Sequence, residues 1–247
     1  MPTPLPRSFF DRNAAQVAPE LIGCLLVRRD GARVRLARIV ETEAYVGEHD
    51  LACHAKAGRT ARTDPMYGEP GRAYVYFVYG IHYCLNAVCG PGGAPNAVLL
   101  RAAAPLADSE LTAVWPAEQP GRNGTRTARI DGAGIGGAGP GAPDRGAPVL
   151  APLLHSASGP GNLCRALAVD RALNRADLCD GQGPLFVAPR IVGVPNIGIP
   201  RIWRGPRIGV DYAGEWATKR LRFCDRDDPR VSKPRPPPAR ATRRRGR

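Results

Sequence analysis

Apolar residues first recur at helical spacing. Ala14, Val17, Ala18 and Leu21 fall on one face of a short helix, with Asp11 as its cap and Pro19 ending or kinking it. The pattern then changes to that of strands. LIGCLLVRR reads as a buried strand and RVRLARIVETEAYV as a longer one. A stretch from about Gly47 to Arg72, rich in turn formers, is a loop. Beyond it, RAYVYFVY and IHYCLNAVC are two β-prone runs that meet at Tyr79-Gly80, and NAVLLRAAAPL is another strand. Further on, NLCRALAVD returns to helical spacing, with Leu163, Ala166 and Leu167 on one side. GPLFVAPRIVGVPNIGI and RIGVDYAGEWATKRLRFCD then read as short strands and loops. Strands separated by loops rather than by regular helices predict an α+β fold, not a doubly wound sheet.

Composition breaks this pattern twice. Between Pro116 and Pro148 the chain is dominated by Gly, Pro, Ala and Arg, and no apolar periodicity survives, which predicts a flexible insertion. Gly132, Gly134 and Gly137 there match the spacing of a dinucleotide-binding loop, but no strand precedes them and no helix follows, so they read as low complexity. From Arg230 to Arg247 the chain holds eight basic residues and no acidic one, the pattern of a disordered arm. The expected organisation is one domain over 1–228, with 116–148 inserted, and a basic tail over 229–247. Net charge is +13, nearly all from arginine, and setting aside the eight basic residues of the tail leaves +5. A strongly basic chain points to an anionic partner, nucleic acid first.

Seven scattered cysteines without a C-x-x-C pair argue against a disulfide framework or a zinc knuckle. Reduced, mostly buried thiols fit an intracellular compartment. MPTPLPRSFF lacks the apolar core of a signal peptide, and no apolar run approaches membrane-spanning length. A soluble, cytoplasmic protein with no membrane partner is expected.

The candidate chemistry starts at IVETEAY. Glu41, Glu43 and Tyr45 alternate, so on a strand they share a face. Taken alone, they read as a wet face of an edge strand, because carboxylates are costly on a half-apolar strand unless solvated, paired or used. Nine residues after Tyr45 comes His54, followed by Tyr74, Tyr76, Tyr79 and Tyr83 in a chain only 6% aromatic. Tyr74 and Tyr76 share one strand face, while Val75, Phe77 and Tyr79 share the other. If Tyr79-Gly80 forms the turn, with Gly80 supplying a positive φ, Tyr79 projects at a hairpin tip. A tip aromatic on a basic protein can fill the gap left by an extruded base. Tyr76, set back from the tip, could line a pocket with Tyr45 and His54. By itself, this set reads equally as a tyrosine-rich sheet packing its own core.

The stretch RIVETEAYVGEHDLACH, followed by YVYFVYGIHYCLN and VLLRA, resembles the alkyladenine (3-methyladenine, or methylpurine) DNA glycosylase family. RSFFDR, GCLLVRR, GPGNLCRAL and IGVDYAGEWATK extend the resemblance over about residues 7–115 and 153–224. It implies a curved, mainly antiparallel sheet with a protruding β-hairpin and surrounding helices. It implies Glu43 as the general base for water, with Arg101 helping to hold that water. Tyr45, His54 and Tyr76 would sandwich a flipped purine, Tyr79 would be the wedge, Asn86 would crowd the amino group of guanine, and Val210 would pack near the pocket. Trp216 is expected to be structural. The partner implied is double-stranded DNA containing damaged purines, the protein acting as a monomer and without a cofactor.

The chemistry is consistent with that assignment. Cleaving an N-glycosidic bond builds positive charge on the sugar, which a nearby carboxylate stabilises while it deprotonates attacking water. A lyase would need an amine for a Schiff base. Only Lys56, Lys219 and Lys233 exist, in a loop, beside a structural-looking motif and in the tail. The expectation is a monofunctional enzyme that leaves an abasic site. Three other readings compete: a non-catalytic protein binding distorted duplex, a nicotinamide oxidoreductase resting on the glycine stretch, and a metal-dependent hydrolase. The last has only dispersed ligands, since His49 and His54 are five apart in a loop and His82 and His155 are isolated.

Overall fold

A computed structural model describes residues 2–114, 149–193 and 198–237. The glycine stretch and the whole 116–148 insertion therefore lie outside the described residues. So does the tail beyond Pro237.

Helix α1 (Arg7–Phe10) leads into α2 (Ala14–Glu20). The cap of α2 is Asn13 rather than Asp11: its side chain accepts from the Ala15 amide at 2.9 Å, whereas Asp11 closes α1. Pro19 falls in the last turn of α2, which ends one residue later. Ala14, Val17, Ala18 and Leu21 are fully buried, as their spacing requires.

The strands are β1 (Leu25–Asp30), β2 (Arg33–Val46), β3 (Ala73–Val78), β4 (His82–Cys89) and β5 (Asn96–Pro105). Later come α3 (Asp108–Val114), β6 (Val149–Leu150), α4 (Pro160–Ala166), β7 (Leu185–Ala188), β8 (Ile202–Gly205) and β9 (Arg222–Asp225). Among the described residues these nine strands form one sheet of order β3-β4-β5-β2-β1-β7, with β6 and β9 also on β2 and β8 on β9. All of these pairings except β2–β6 are antiparallel, giving the expected α+β fold.

The two-residue alternation of strands assigns the two faces of this sheet. Val75, Leu85, Ala87, Val98 and Leu100 join the main core with the apolar faces of α2 and α4. Tyr74, Val88 and Ala97 point the other way and pack with Cys53, Ala55 and Met66. Those last three come from the 47–72 loop, which contains two 3-10 turns, His54–Ala57 and Asp64–Tyr67. The loop thus covers the sheet face that carries the tyrosines.

β2 is an interior strand. β5 pairs with it along Ala37–Val46, and on its other side β1 pairs up to Arg38 and β9 pairs at Glu41–Glu43. Glu41 and Glu43 are consequently fully buried. The expectation of a wet edge strand is overturned by β9, a segment nearly 180 positions further along the chain. A register irregularity around Glu41 loosens the β2–β5 ladder just where the carboxylates sit.

The β3–β4 hairpin differs from a two-residue turn. Val78 pairs with His82, so the connection is Tyr79–Gly80–Ile81, closed by the Ile81 amide donating to the Val78 carbonyl at 3.3 Å. Both Tyr79 (φ 54°) and Gly80 (φ 69°) are left-handed. For the tyrosine this costs roughly 1–2 kcal/mol, which a glycine would not incur.

Candidate active site

A cavity of about 450 Å³ opens on the loop-covered face of the sheet, beside the hairpin. Its lining includes Tyr45 from β2, His54 from the loop, Tyr76 from β3, Asn86 from β4, Arg101 from β5 and Val210. Tyr79 stands at its mouth, 86% exposed. These residues come from different elements of the fold. Glu43, on the same strand as Tyr45, does not line the cavity and has no exposed surface.

Three donors hold the Glu43 carboxylate. The Ile208 amide donates to Oε1 at 2.8 Å, and the Tyr45 hydroxyl and Arg101 Nη1 donate to Oε2 at 2.9 and 3.4 Å. Arg101 also reaches Glu41, with Nε 3.2 Å from Oε1. Burial opposes the Arg101 charge, but Glu43 and Glu41 outweigh it and hold its pKa above the ordinary guanidinium value. The Tyr45 phenol is pushed well above its usual range by burial and by the Glu43 charge, so it acts as a donor.

The aromatic walls are fixed from behind. His54 meets the Tyr76 ring edge-on at 4.6 Å between centroids, and Tyr74 lies 5.2 Å from Tyr76. His54 Nδ1 is 3.1 Å from the Tyr74 hydroxyl. Asn86 Nδ2 donates to the Tyr74 carbonyl at 3.0 Å, which anchors the amide at the wall. Burial and the nearby Arg62 and Lys56 lower the His54 pKa from 6.5 to about 4. The imidazole is thus neutral at physiological pH, and its face does not repel a cationic ligand.

A linkage prediction follows from that value. Because the folded-state pKa is below the unfolded one, His54 contributes stability that is complete above about pH 6.5 and is lost as pH falls toward 4. An NMR titration should show the His54 ring protonating near pH 4. A midpoint near 6.5 would contradict it.

Several contributors were not legible in advance. Arg207 and Asp50 form a buried bidentate pair, with Nη1–Oδ2 at 2.5 Å and Nη2–Oδ1 at 2.8 Å. Arg207 also donates to the Ala44 carbonyl at 2.9 Å and lies 4.7 Å from the Tyr45 ring. It thereby fixes the backbone whose next amide, Ile208, holds Glu43. Arg222 joins Glu41 through Nε at 2.7 Å. A surplus of arginines in the sequence was a signal of anion binding, but nothing in the spacing showed which ones bind internal carboxylates. Trp216 is buried and packs on His49 and Lys219, and its carbonyl accepts from Arg207 Nη2 at 3.5 Å.

None of the three lysines lines the cavity. Lys56 lies over the Tyr212 ring at 4.8 Å, Lys219 over Trp216 at 3.4 Å, and Lys233 is exposed. Among the described residues no cluster of His, Cys, Asp and Glu has metal-holding geometry, and no helix is long and apolar enough to cross a membrane.

The cavity thus has Tyr45, His54 and Tyr76 in its wall, with the fully buried Glu43 bonded to Tyr45 and to Arg101 behind them. A family model described as methylpurine-DNA glycosylase (MPG) matches residues 8–229. A relative from Myxococcus xanthus (strain DK1622) is 43% identical over 94% of this chain and 95% of its own length. One from Methanocella arvoryzae is 41% identical (94% and 97%), and one from Legionella pneumophila (strain Corby) 37% (93% and 98%). All three are named as 3-methyladenine DNA glycosylases. The chain belongs to the methylpurine-DNA glycosylase family. It is a DNA glycosylase and a DNA repair enzyme.

Proposed function

We propose that the protein is a monofunctional glycosylase that draws a damaged purine out of duplex DNA and hydrolyses its N-glycosidic bond, leaving the abasic strand uncut. The observation that carries this reading is the Glu43 carboxylate. It accepts three hydrogen bonds of about four that a carboxylate can take, which leaves an acceptor position on Oε1 for a water.

In this mechanism the purine enters between Tyr45 on one side and Tyr76 with His54 on the other. Glu43 takes a proton from water as the water oxygen bonds to the anomeric carbon, and the glycosidic electron pair leaves with the base. The carboxylate also opposes the positive charge that develops on the sugar, and Arg101 orients the water. Alkylation at N3 or N7 makes the base cationic, which improves both its departure and its stacking on tyrosine faces. 3-Methyladenine and 7-methylguanine fit this description. Hypoxanthine and ethenoadenine are neutral and depend more on hydrogen bonds in the pocket. Asn86 would crowd the amino group of guanine, so 7-methylguanine, which carries that group too, relies on its cationic charge; Val210 would close the wall. Tyr79 fills the gap left in the stack, which gives its left-handed backbone a purpose. We place this activity in the cytoplasm, carried out by a monomer on nucleoid DNA, with no cofactor.

Duplexes each carrying one of the four lesions test the reading. The expected product is free base plus a strand that breaks only after alkali treatment. With the lysines outside the cavity, borohydride should trap no protein–DNA adduct; a trapped adduct would mean an amine attacks the sugar and would overturn the water mechanism.

A further inference from the structure

Composition marks the chain after Pro229 as the start of a basic arm, yet it enters the most buried part of the site. Val231 and Ser232 are 2% and 6% exposed. The Ser232 amide donates to Glu41 Oε2 at 2.7 Å, and its hydroxyl donates to Glu41 Oε1 at 2.9 Å. The same hydroxyl accepts from Arg101 Nη2 at 3.4 Å. Arg222 clamps the segment from below, through Nη2 to the Ser232 carbonyl at 3.0 Å and Nη1 to the Pro234 carbonyl at 2.9 Å. The basic tail expected from residue 229 is therefore docked through Arg235, which also donates to the Pro229 carbonyl at 2.7 Å.

This docking bears on Arg101. A guanidinium is a rigid planar fork, so fixing two of its nitrogens fixes the third. Here Nε is held by Glu41 and Nη2 by Ser232, which directs Nη1 to Glu43. The preferred geometry for arginine with a carboxylate is bidentate. Here the Ser232 hydroxyl takes Nη2 and itself donates to Glu41 Oε1, so Arg101 meets Glu41 through Nε alone. Without that hydroxyl, Arg101 is free to turn its fork onto Glu41 and leave Glu43.

We propose that Ser232 is a positioning residue for base excision, holding Arg101 on Glu43 and preventing it from collapsing into a bidentate pair with Glu41. The proposal rests on Glu43 being the general base. It makes the segment after the family-matched region part of the enzyme rather than an appendage.

The test uses the full chain with Ser232→Ala, Ser232→Thr and Glu43→Gln on a duplex whose lesion the wild type excises. Single-turnover excision should fall about tenfold in Ser232→Ala, a misplacement effect. Affinity for a duplex with a stable abasic-site analogue should stay within about twofold of wild type. Ser232→Thr keeps the hydroxyl and should restore the rate to within about threefold. All rates are read well below each variant's melting temperature. A wild-type rate in Ser232→Ala overturns the proposal, as does a parallel loss of rate and affinity. A folded Ser232→Thr as slow as the alanine variant overturns it too. Full excision by Glu43→Gln would instead overturn the assignment of the base, whatever Ser232 does.

Discussion

Glu43→Gln is expected to lower single-turnover base release by about 10²–10⁴-fold, the range a general base contributes, while binding to a lesion duplex is retained. Glutamine matches glutamate in shape, so the effect is electronic and not a cavity. The amide oxygen can keep the Ile208 hydrogen bond, but the amide nitrogen then faces the Tyr45 hydroxyl and Arg101 Nη1, both of which donated to the carboxylate. Turning the amide over satisfies those two and sacrifices Ile208. Either way the side chain no longer accepts a proton from water. Excision rate and duplex affinity measured together check this. A variant that binds and releases base at the ordinary rate would remove Glu43 from the mechanism. A variant that loses binding as well would assign it a structural role.

Breaking the Arg207–Asp50 pair should have the largest effect on stability. Both side chains are completely buried. Burial works against the Arg207 charge, but the Asp50 hydrogen bond and charge outweigh it and raise its pKa. Arg207→Met leaves Asp50 charged and uncompensated in the interior, which costs about 3–5 kcal/mol. For a domain of this size that is a fall in Tm of roughly 10 °C. Removing both charges, Asp50→Leu with Arg207→Met, should recover much of the loss, because the desolvation cost disappears along with the attraction. Excision should still be slower in the double variant, since Arg207 positions the Ile208 amide on Glu43. Chemical denaturation of the single and double variants, with excision rates for both, separates these outcomes. A single variant less than about 1 kcal/mol weaker would show that the pair contributes little.

The hairpin and the pocket differ in how far the sequence anticipates them. The alternation of Tyr74 and Tyr76 against Val75 and Phe77 places two tyrosines on one face, and the packed clusters follow it for Tyr74, Tyr76 and Val75, while Phe77 stays exposed. The Tyr79-Gly80 junction likewise marks the turn, although the extra residue Ile81 does not announce itself. Asp11 as a helix cap shows the usual limit: the chain path leaves Asn13, two residues further on, beside the free Ala15 amide instead.

What the sequence by itself determined is what depends on neighbours along the chain: the strands, the short helices, the hairpin and the shared face of Glu41, Glu43 and Tyr45. The resemblance in its motifs also named residues that the fold brings to one cavity. Only the tertiary structure decided the environment of those carboxylates. β9, Ile208 and Ser232 arrive from positions more than 160 residues away, and they turn what reads locally as a wet strand into a dry, charge-balanced floor. Burial and ion pairing are properties of three-dimensional company, and local periodicity carries no record of which arginine will meet which acid. The same reason explains Ser232: a basic, proline-rich segment has the composition of a free arm, and its docking depends on two buried residues, Glu41 and Arg222, that it meets only after the sheet has formed.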